Sequence, residues 1–336
     1  MSDSGVVMGI ETLEAGAANT GSVGSKQQTL AGRIELSGVG VHSGKPVSIS
    51  LLPADPDTGI VFQRSDMAPD DQVDIPAVVS SVSATALCTV IGDPKGAHVM
   101  TIEHLMAALV ALHVDNVIVE VDSAEVPVMD GSSEVFVDAI DQVGLVQQRR
   151  PRRYIRVLKE VRFDMGASWG MFVPHETTRY EVEIDFDEEI IGRQKFESDL
   201  TPDVFRKELS RARTFGFMKD VERYWAAGFA LGSSLDNSVV IGDDNAIINQ
   251  EGLRYEDEFV RHKTLDAVGD LALAGGQILG CFRSYRGGHK LNALALQALL
   301  ADKDAWEYTD VPSVATGVAA DDMLSSARIA YAPDKS

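Results

Sequence analysis

Apolar and polar residues alternate around Pro46–Leu52 and Val117–Val121, a period of two that predicts strands with one buried face. Between them the pattern changes. Thr101 to Leu112 (TIEHLMAALVAL) is apolar almost all round and predicts a helix buried inside the fold, with Thr101 as its N-cap and Glu103 and His104 in its first turn. A second helix is expected near Ser133–Val143. Beyond it, Val146 to Arg153 is polar, basic and interrupted by Pro151, which fits a linker with solvated arginines. Strands follow near Tyr154–Arg162, Met171–Val173 and Tyr180–Phe186, then helices near 202–208 and 256–273 and from Leu291 to Ala301. Each half thus reads as strands followed by helices. That is an α+β plan, and it suggests a structural duplication although no sequence repeat is visible.

The helix near 256–273 carries chemistry. At about 100° per residue, His262, Asp266 and Asp270 fall on one face within roughly 80°, while Leu265, Val268 and Ala272 form the other. A neutral imidazole and a carboxylate four residues apart can share a divalent ion such as zinc, or they can simply be a pair on a solvated face. Glu103 and His104 are harder to explain blandly, because uncompensated charge on a buried helix costs several kcal/mol. A metal would compensate both: His104 as third ligand completes a two-histidine, one-carboxylate zinc site, with Glu103 placed to take a proton from water. Gly287 and Gly288 before His289 suggest a tight loop, in which His289 is either a general acid or an ordinary loop histidine. The run Ser210 to Phe217 (SRARTFGF) reads equally as a strand end or a site wall.

Six strings, TIEHLMAAL, DNVIVEV, VPVMDGSSEVFVDAI, SRARTFGF, GLRYEDEFVRHKTLDAVGDL and GGHKLN, occur in order between Gln28 and Tyr308. Together they resemble the UDP-3-O-acyl-N-acetylglucosamine deacetylase family, zinc enzymes of lipid A synthesis in Gram-negative bacteria. The resemblance implies two similar α+β domains packed helix layer to helix layer, with zinc held by His104, His262 and Asp266. It implies Glu103 as general base, His289 as general acid oriented by Asp270, and Thr214 at the oxyanion. Lys263 would hold substrate oxygens, Arg286 the diphosphate, and Phe215 the sugar or uracil, with Asn292 a further polar contact. An acyl passage would be lined by Leu87, Phe217, Met218, Val221, Ser233 and Val240. Relatives often have glycine where Ser233 stands and lysine where Arg286 stands, which bears on passage width and on phosphate geometry. The implied reaction is hydrolysis of the acetamide of UDP-3-O-(3-hydroxyacyl)-N-acetylglucosamine.

Composition narrows the partners. A chain of 336 residues with 45% hydrophobic content suggests two domains with real cores. The expected division is a flexible tail over 1–26, domains over 27–148 and 153–308, and a second tail over 309–336. A net charge of −21 argues against nucleic acid or an anionic membrane as partner, and requires a local basic pocket for an anionic nucleotide sugar. The two cysteines, Cys88 and Cys281, fit a reducing cytoplasm without a disulfide framework. No run approaches the ~18 apolar residues of a membrane span, and the Gly-, Ser- and Ala-rich first 25 residues lack a secretory pattern. The expectation is a monomeric cytoplasmic enzyme without stable membrane insertion.

Overall fold

The computed structural model describes residues 26–310. The two expected tails lie outside the described residues, except for Lys26 and Thr309, which fall within strands, and Asp310, which follows the last strand. The first half opens with β1 (Lys26–Leu30), β2 (Ile34–Val39), β3 (Pro46–Pro53), β4 (Ile60–Arg64) and β5 (Ile75–Pro76). A small sheet of β6 (Val82–Ala84), β7 (Val90–Gly92) and β8 (His98–Val99) follows, then α1 (Glu103–Ala111), β9 (Val117–Val121), α2 (Glu134–Val143) and β10 (Leu145–Pro151). The second half opens with β11 (Tyr154–Val157), β12 (Val161–Met165), β13 (Ser168–Val173), β14 (Thr178–Asp185) and β15 (Arg193–Asp199). The short helix α3 (Pro202–Val204) runs into a π-helical turn over Phe205–Leu209. Then come β16 (Phe215–Phe217), α4 (Met218–Ala226), β17 (Val239–Ile241), α5 (Glu258–Leu271), β18 (Gln277–Tyr285), α6 (His289–Ala301) and β19 (Trp306–Thr309).

The halves repeat one topology. In the first, β2 and β3, β3 and β9, and β4 and β5 are antiparallel, and β4 runs parallel to β9. In the second, β12 and β13, β13 and β18, and β14 and β15 are antiparallel, and β14 runs parallel to β18. The central strand of each sheet, β9 or β18, is preceded by one helix (α1 or α5) and followed by another (α2 or α6). Alternation sets the buried faces: Thr178, Tyr180, Val182 and Ile184 of β14 are buried while the residues between them are half-buried.

The two halves meet through α1 and α5. Leu105, Met106 and Leu109 of α1 share one core with Leu265, Val268 and Leu271 of α5. The approach is closest at Gly269, where a Cβ would lie 2.0 Å from the backbone oxygen of Glu103. Only a glycine lets these backbones touch.

Three local expectations are corrected. Val146 to Arg153 is not a linker, because β10 pairs antiparallel with β1. Its arginines are not all solvated either: Arg152 is buried, donating to Asp115 (2.8 and 2.7 Å) and to the His113 carbonyl (2.9 Å). Tyr154–Arg162 is broken into β11 and β12. Thr101 is not an N-cap. It sits at φ 58°, a strained region for a β-branched residue, and its hydroxyl donates to the buried carboxylate of Glu125 (3.0 Å).

Candidate active site

His262 and Asp266 stand one turn apart on α5, and His104 reaches them from the first turn of α1. The solvated-face alternative fails here, since twelve of the fourteen residues of α5 are buried, His262, Asp266 and Asp270 among them. Asp266 Oδ1 lies 3.3 Å from His262 Nε2 and 3.6 Å from His104 Nε2. That oxygen is buried without a hydrogen-bond partner, and an unpaired carboxylate oxygen between two imidazoles is costly unless a cation completes it. Ligands bonded at 2.0–2.2 Å in a tetrahedral shell sit about 3.4 Å apart, so the three side chains fit a zinc-sized ion. Among the described residues no other His, Cys, Asp and Glu group gathers in this way.

The surroundings tune these ligands. His262 Nδ1 donates to the Ala212 carbonyl (3.0 Å), which turns Nε2 toward Asp266. Burial drives His262 down to about 3, against the pull of Asp266, and leaves it neutral. Burial opposes the charge on Asp266, yet His262 and Lys263 hold its carboxyl well below the usual range. Lys263 Nζ bonds Asp266 Oδ2 at 2.8 Å, leaving Oδ1 to the imidazoles. The Ala212 carbonyl is itself held in place, because the adjacent Arg213 is buried and paired with fully buried Glu258 through Nε and its backbone N–H, each at 2.9 Å.

Beside the cluster lies an acid–base pair. Glu103 is buried, accepts the Thr89 N–H at 3.1 Å, and has its pKa raised by burial against the pull of His289 and His104. His289 Nε2 lies 3.7 Å from Glu103 Oε1, and Nδ1 is 2.9 Å from Asp270 Oδ2. Burial alone would lower His289, but Asp270 and Glu103 reverse this and carry it up to about 10. His289 is not in a loop as expected but is the first residue of α6. The positive end of that helix disfavours imidazolium, and the two carboxylates outweigh it.

Residues expected around the substrate are more dispersed. The Phe215 ring packs on Phe259 (4.9 Å) and Phe186 (5.8 Å), with His262 at 6.3 Å and Lys263 Nζ at 5.7 Å. Thr214 precedes β16 and is held through its backbone by Gly131 (2.7 Å) and Val239 (2.8 Å). Arg286 donates Nε to the Asp185 carbonyl at 2.8 Å. Phe217 packs against Phe186. Leu87 and Met218 are exposed, Val221 and Val240 half-buried, and Ser233 exposed with its hydroxyl 3.2 Å from that of Ser238. Asn292 is buried, and its amide donates to Asp270 Oδ2 (2.9 Å), so it supports the carboxylate beside His289. A cavity of about 260 Å³ near Val110, His113 and Arg152 includes none of these residues, so it is not the expected passage.

Sequence reasoning missed Thr89, Gly269 and the Arg213–Glu258 pair. Gly269 alone carried a signal, as a glycine inside an otherwise regular helix, which costs ~1 kcal/mol relative to alanine and so implies a packing reason.

Two imidazoles and a carboxylate fit for a cation, next to a buried carboxylate–imidazolium pair, form a set suited to metal-assisted hydrolysis. The family model described as LpxC, UDP-3-O-acyl N-acetylglycosamine deacetylase, matches residues 27–301. Proteins named UDP-3-O-acyl-N-acetylglucosamine deacetylase from Brucella ovis, Brucella abortus and Brucella melitensis are each 60% identical to the chain over 284 residues, 84% of this chain and 98% of the relative. The chain belongs to the UDP-3-O-acyl N-acetylglycosamine deacetylase family.

Proposed function

We propose that the chain hydrolyses the acetamide of UDP-3-O-(3-hydroxyacyl)-N-acetylglucosamine to the free amine and acetate, the committed step of lipid A biosynthesis. The metal would be zinc, held by His104, His262 and Asp266. The observation that carries this reading is the unpartnered Asp266 Oδ1 facing two imidazoles beside the Glu103–His289 pair. Family membership supports the substrate class.

Zinc, when bound, supplies Lewis acidity to the amide carbonyl and acidifies water. Glu103, whose burial favours taking up a proton, is the general base for that water. The Thr214 hydroxyl stabilises the developing oxyanion. As the C–N bond breaks, His289 delivers its Nε2 proton to the departing nitrogen, since Nδ1 is occupied by Asp270. Lys263 and Phe215 hold the sugar and its oxygens, and Arg286 serves the diphosphate. Leu87, Phe217, Met218, Val221, Ser233 and Val240 line the passage for the 3-O-acyl chain. Residues 27–148 and 153–308 act as two domains of a monomeric cytoplasmic enzyme. Among the described residues no helix is long and apolar enough to cross a membrane.

The test combines metal analysis with acetate release. The purified protein is expected to hold about one zinc per chain and to release acetate from the acylated nucleotide sugar far faster than from the non-acylated one. Asp266→Ala should remain folded, lose the zinc and lose turnover. Full zinc retention in that variant would sink the ligand assignment, and equal rates on both substrates would point to a hydrolase of another amide.

A further inference from the structure

Thr89 immediately precedes β7 and is almost fully buried. Its backbone N–H donates to Glu103 Oε2 (3.1 Å), and its hydroxyl donates to Asp270 Oδ1 (2.6 Å). One residue therefore grips both the carboxylate read as general base and the carboxylate that orients the general acid. The remaining oxygen of Asp270, Oδ2, receives His289 Nδ1 and the Asn292 amide, each at 2.9 Å. With Oδ1 pinned by Thr89, the carboxylate plane cannot swing away from His289. The approach to Thr89 is also strained: Leu87, two residues earlier, sits at φ 68°, a left-handed conformation uncommon for leucine. Such strain persists where surrounding contacts over-determine a site.

We propose that Thr89 is a positioning residue that sets base and acid in register across the junction of the two halves. It acts on Glu103 through its N–H, and on His289 through its hydroxyl and Asp270. The side-chain type follows from this role. Valine has the same shape but no donor and would leave a buried carboxylate oxygen unpaired, whereas serine keeps the donor. The assignment rests on the deacetylase reading above, because that reading gives Glu103 and His289 their roles.

The experiment uses the full-length, zinc-loaded protein with the acylated nucleotide sugar. Thr89→Val should lower kcat about tenfold, the size of one unmet buried hydrogen bond, with KM within about twofold and zinc content unchanged. Thr89→Ser should restore kcat to within about twofold of the parent. Because the hydroxyl works through His289, Thr89→Val in a His289→Ala background should add less than about a twofold further loss. In metal-free protein, the proton NMR signal of the His289–Asp270 hydrogen bond should shift in Thr89→Val and return in Thr89→Ser. If Thr89→Val does not fold, Thr89→Ala, which keeps the backbone N–H, is compared with Thr89→Ser in the same way. Parental kcat in the hydroxyl-free variant, or an equal tenfold loss with and without His289, overturns the proposal. Failure of the parent protein to release acetate instead sinks the functional reading, and the proposal with it.

Discussion

Asp270 shows how much one side chain can decide. Its carboxylate takes Thr89 on one oxygen and His289 with Asn292 on the other, in a buried setting where each bond counts. It is also the main electrostatic reason that His289 is carried up to about 10 against burial. If Glu103 is the base and His289 the acid, as proposed, the working form has Glu103 deprotonated and His289 protonated, and turnover should follow a bell in pH. The acidic limb belongs to Glu103 and should lie above the ordinary carboxylate range, because burial raises it. The basic limb belongs to His289 and should lie above the ordinary histidine range. A dication bound by His104, His262 and Asp266 would draw both limbs down, so the sharper expectation is relative. Asp270→Asn removes the anion that raises His289, and the basic limb should fall by at least about one pH unit, lost rate included. A basic limb unmoved in Asp270→Asn would show that another group sets it. At this scale the sequence was informative where partners share a helix: the spacing of His262, Asp266 and Asp270 was readable. It was silent on Thr89, whose hydroxyl partner lies 181 positions away.

Among the elements, α1 and α5 carry the site, and their crossing was not readable. Periodicity located both helices, yet it suggested an apolar and a polar face for α5, whereas that helix is buried on nearly all sides. A local pattern cannot show that a polar face turns inward toward ions and imidazoles instead of water. The same limit explains the mistaken linker: a polar, arginine-bearing strand looks like a connector until β1 is known to pair with it, and even their nearest matched residues, Leu30 and Leu145, lie 115 positions apart. Gly269 fixes how closely α1 and α5 approach, so it gives the clearest prediction for this scale. In Gly269→Ala the new methyl would meet the Glu103 backbone, not a yielding side chain. Overpacking of this kind typically costs about 1–3 kcal/mol, seen as a lowered melting temperature. Displacement of α1 would also move Glu103 and His104 together, so turnover and zinc affinity should both fall by more than the stability loss explains. Parental zinc affinity and kcat in Gly269→Ala would show that the helices can part without disturbing the site.

The whole molecule places a shared site between two copies of one topology, each with a small extra sheet before its first long helix, β6-β7-β8 in the first and β16-β17 in the second. That repetition of β2-β3-β9-β4-β5 as β12-β13-β18-β14-β15 was only suggested by the sequence, because the pairing of strands leaves no repeat in the residues themselves. The extra segment of the second copy, from β16 through α4 to β17, is tied to both halves. Leu231 and Gly232 donate to the His42 and Val41 carbonyls (3.2 and 3.0 Å), and Lys219 pairs with Glu188 at 2.6 Å. It keeps Met218, Trp225, Leu231 and Leu235 exposed, more apolar surface than a segment this short needs for its own folding, and apt for contact with an acyl chain. The chain as a whole carries a net charge of −21, so on the proposed function apolar contact is the natural source of affinity for the lipid part of the substrate. Each buried methylene contributes about 0.8 kcal/mol, so a passage enclosing the chain should discriminate steeply by length, and removing the 3-O-acyl group should lower kcat/KM by several orders of magnitude. Ser233 follows the clamped Gly232 and puts an exposed side chain at the proposed passage. Ser233→Gly is therefore expected to shift preference toward longer or bulkier chains. An assay series over acyl length decides it: an unaltered profile in Ser233→Gly would remove this position from the passage, while equal kcat/KM on acylated and non-acylated substrates would remove the passage from the mechanism.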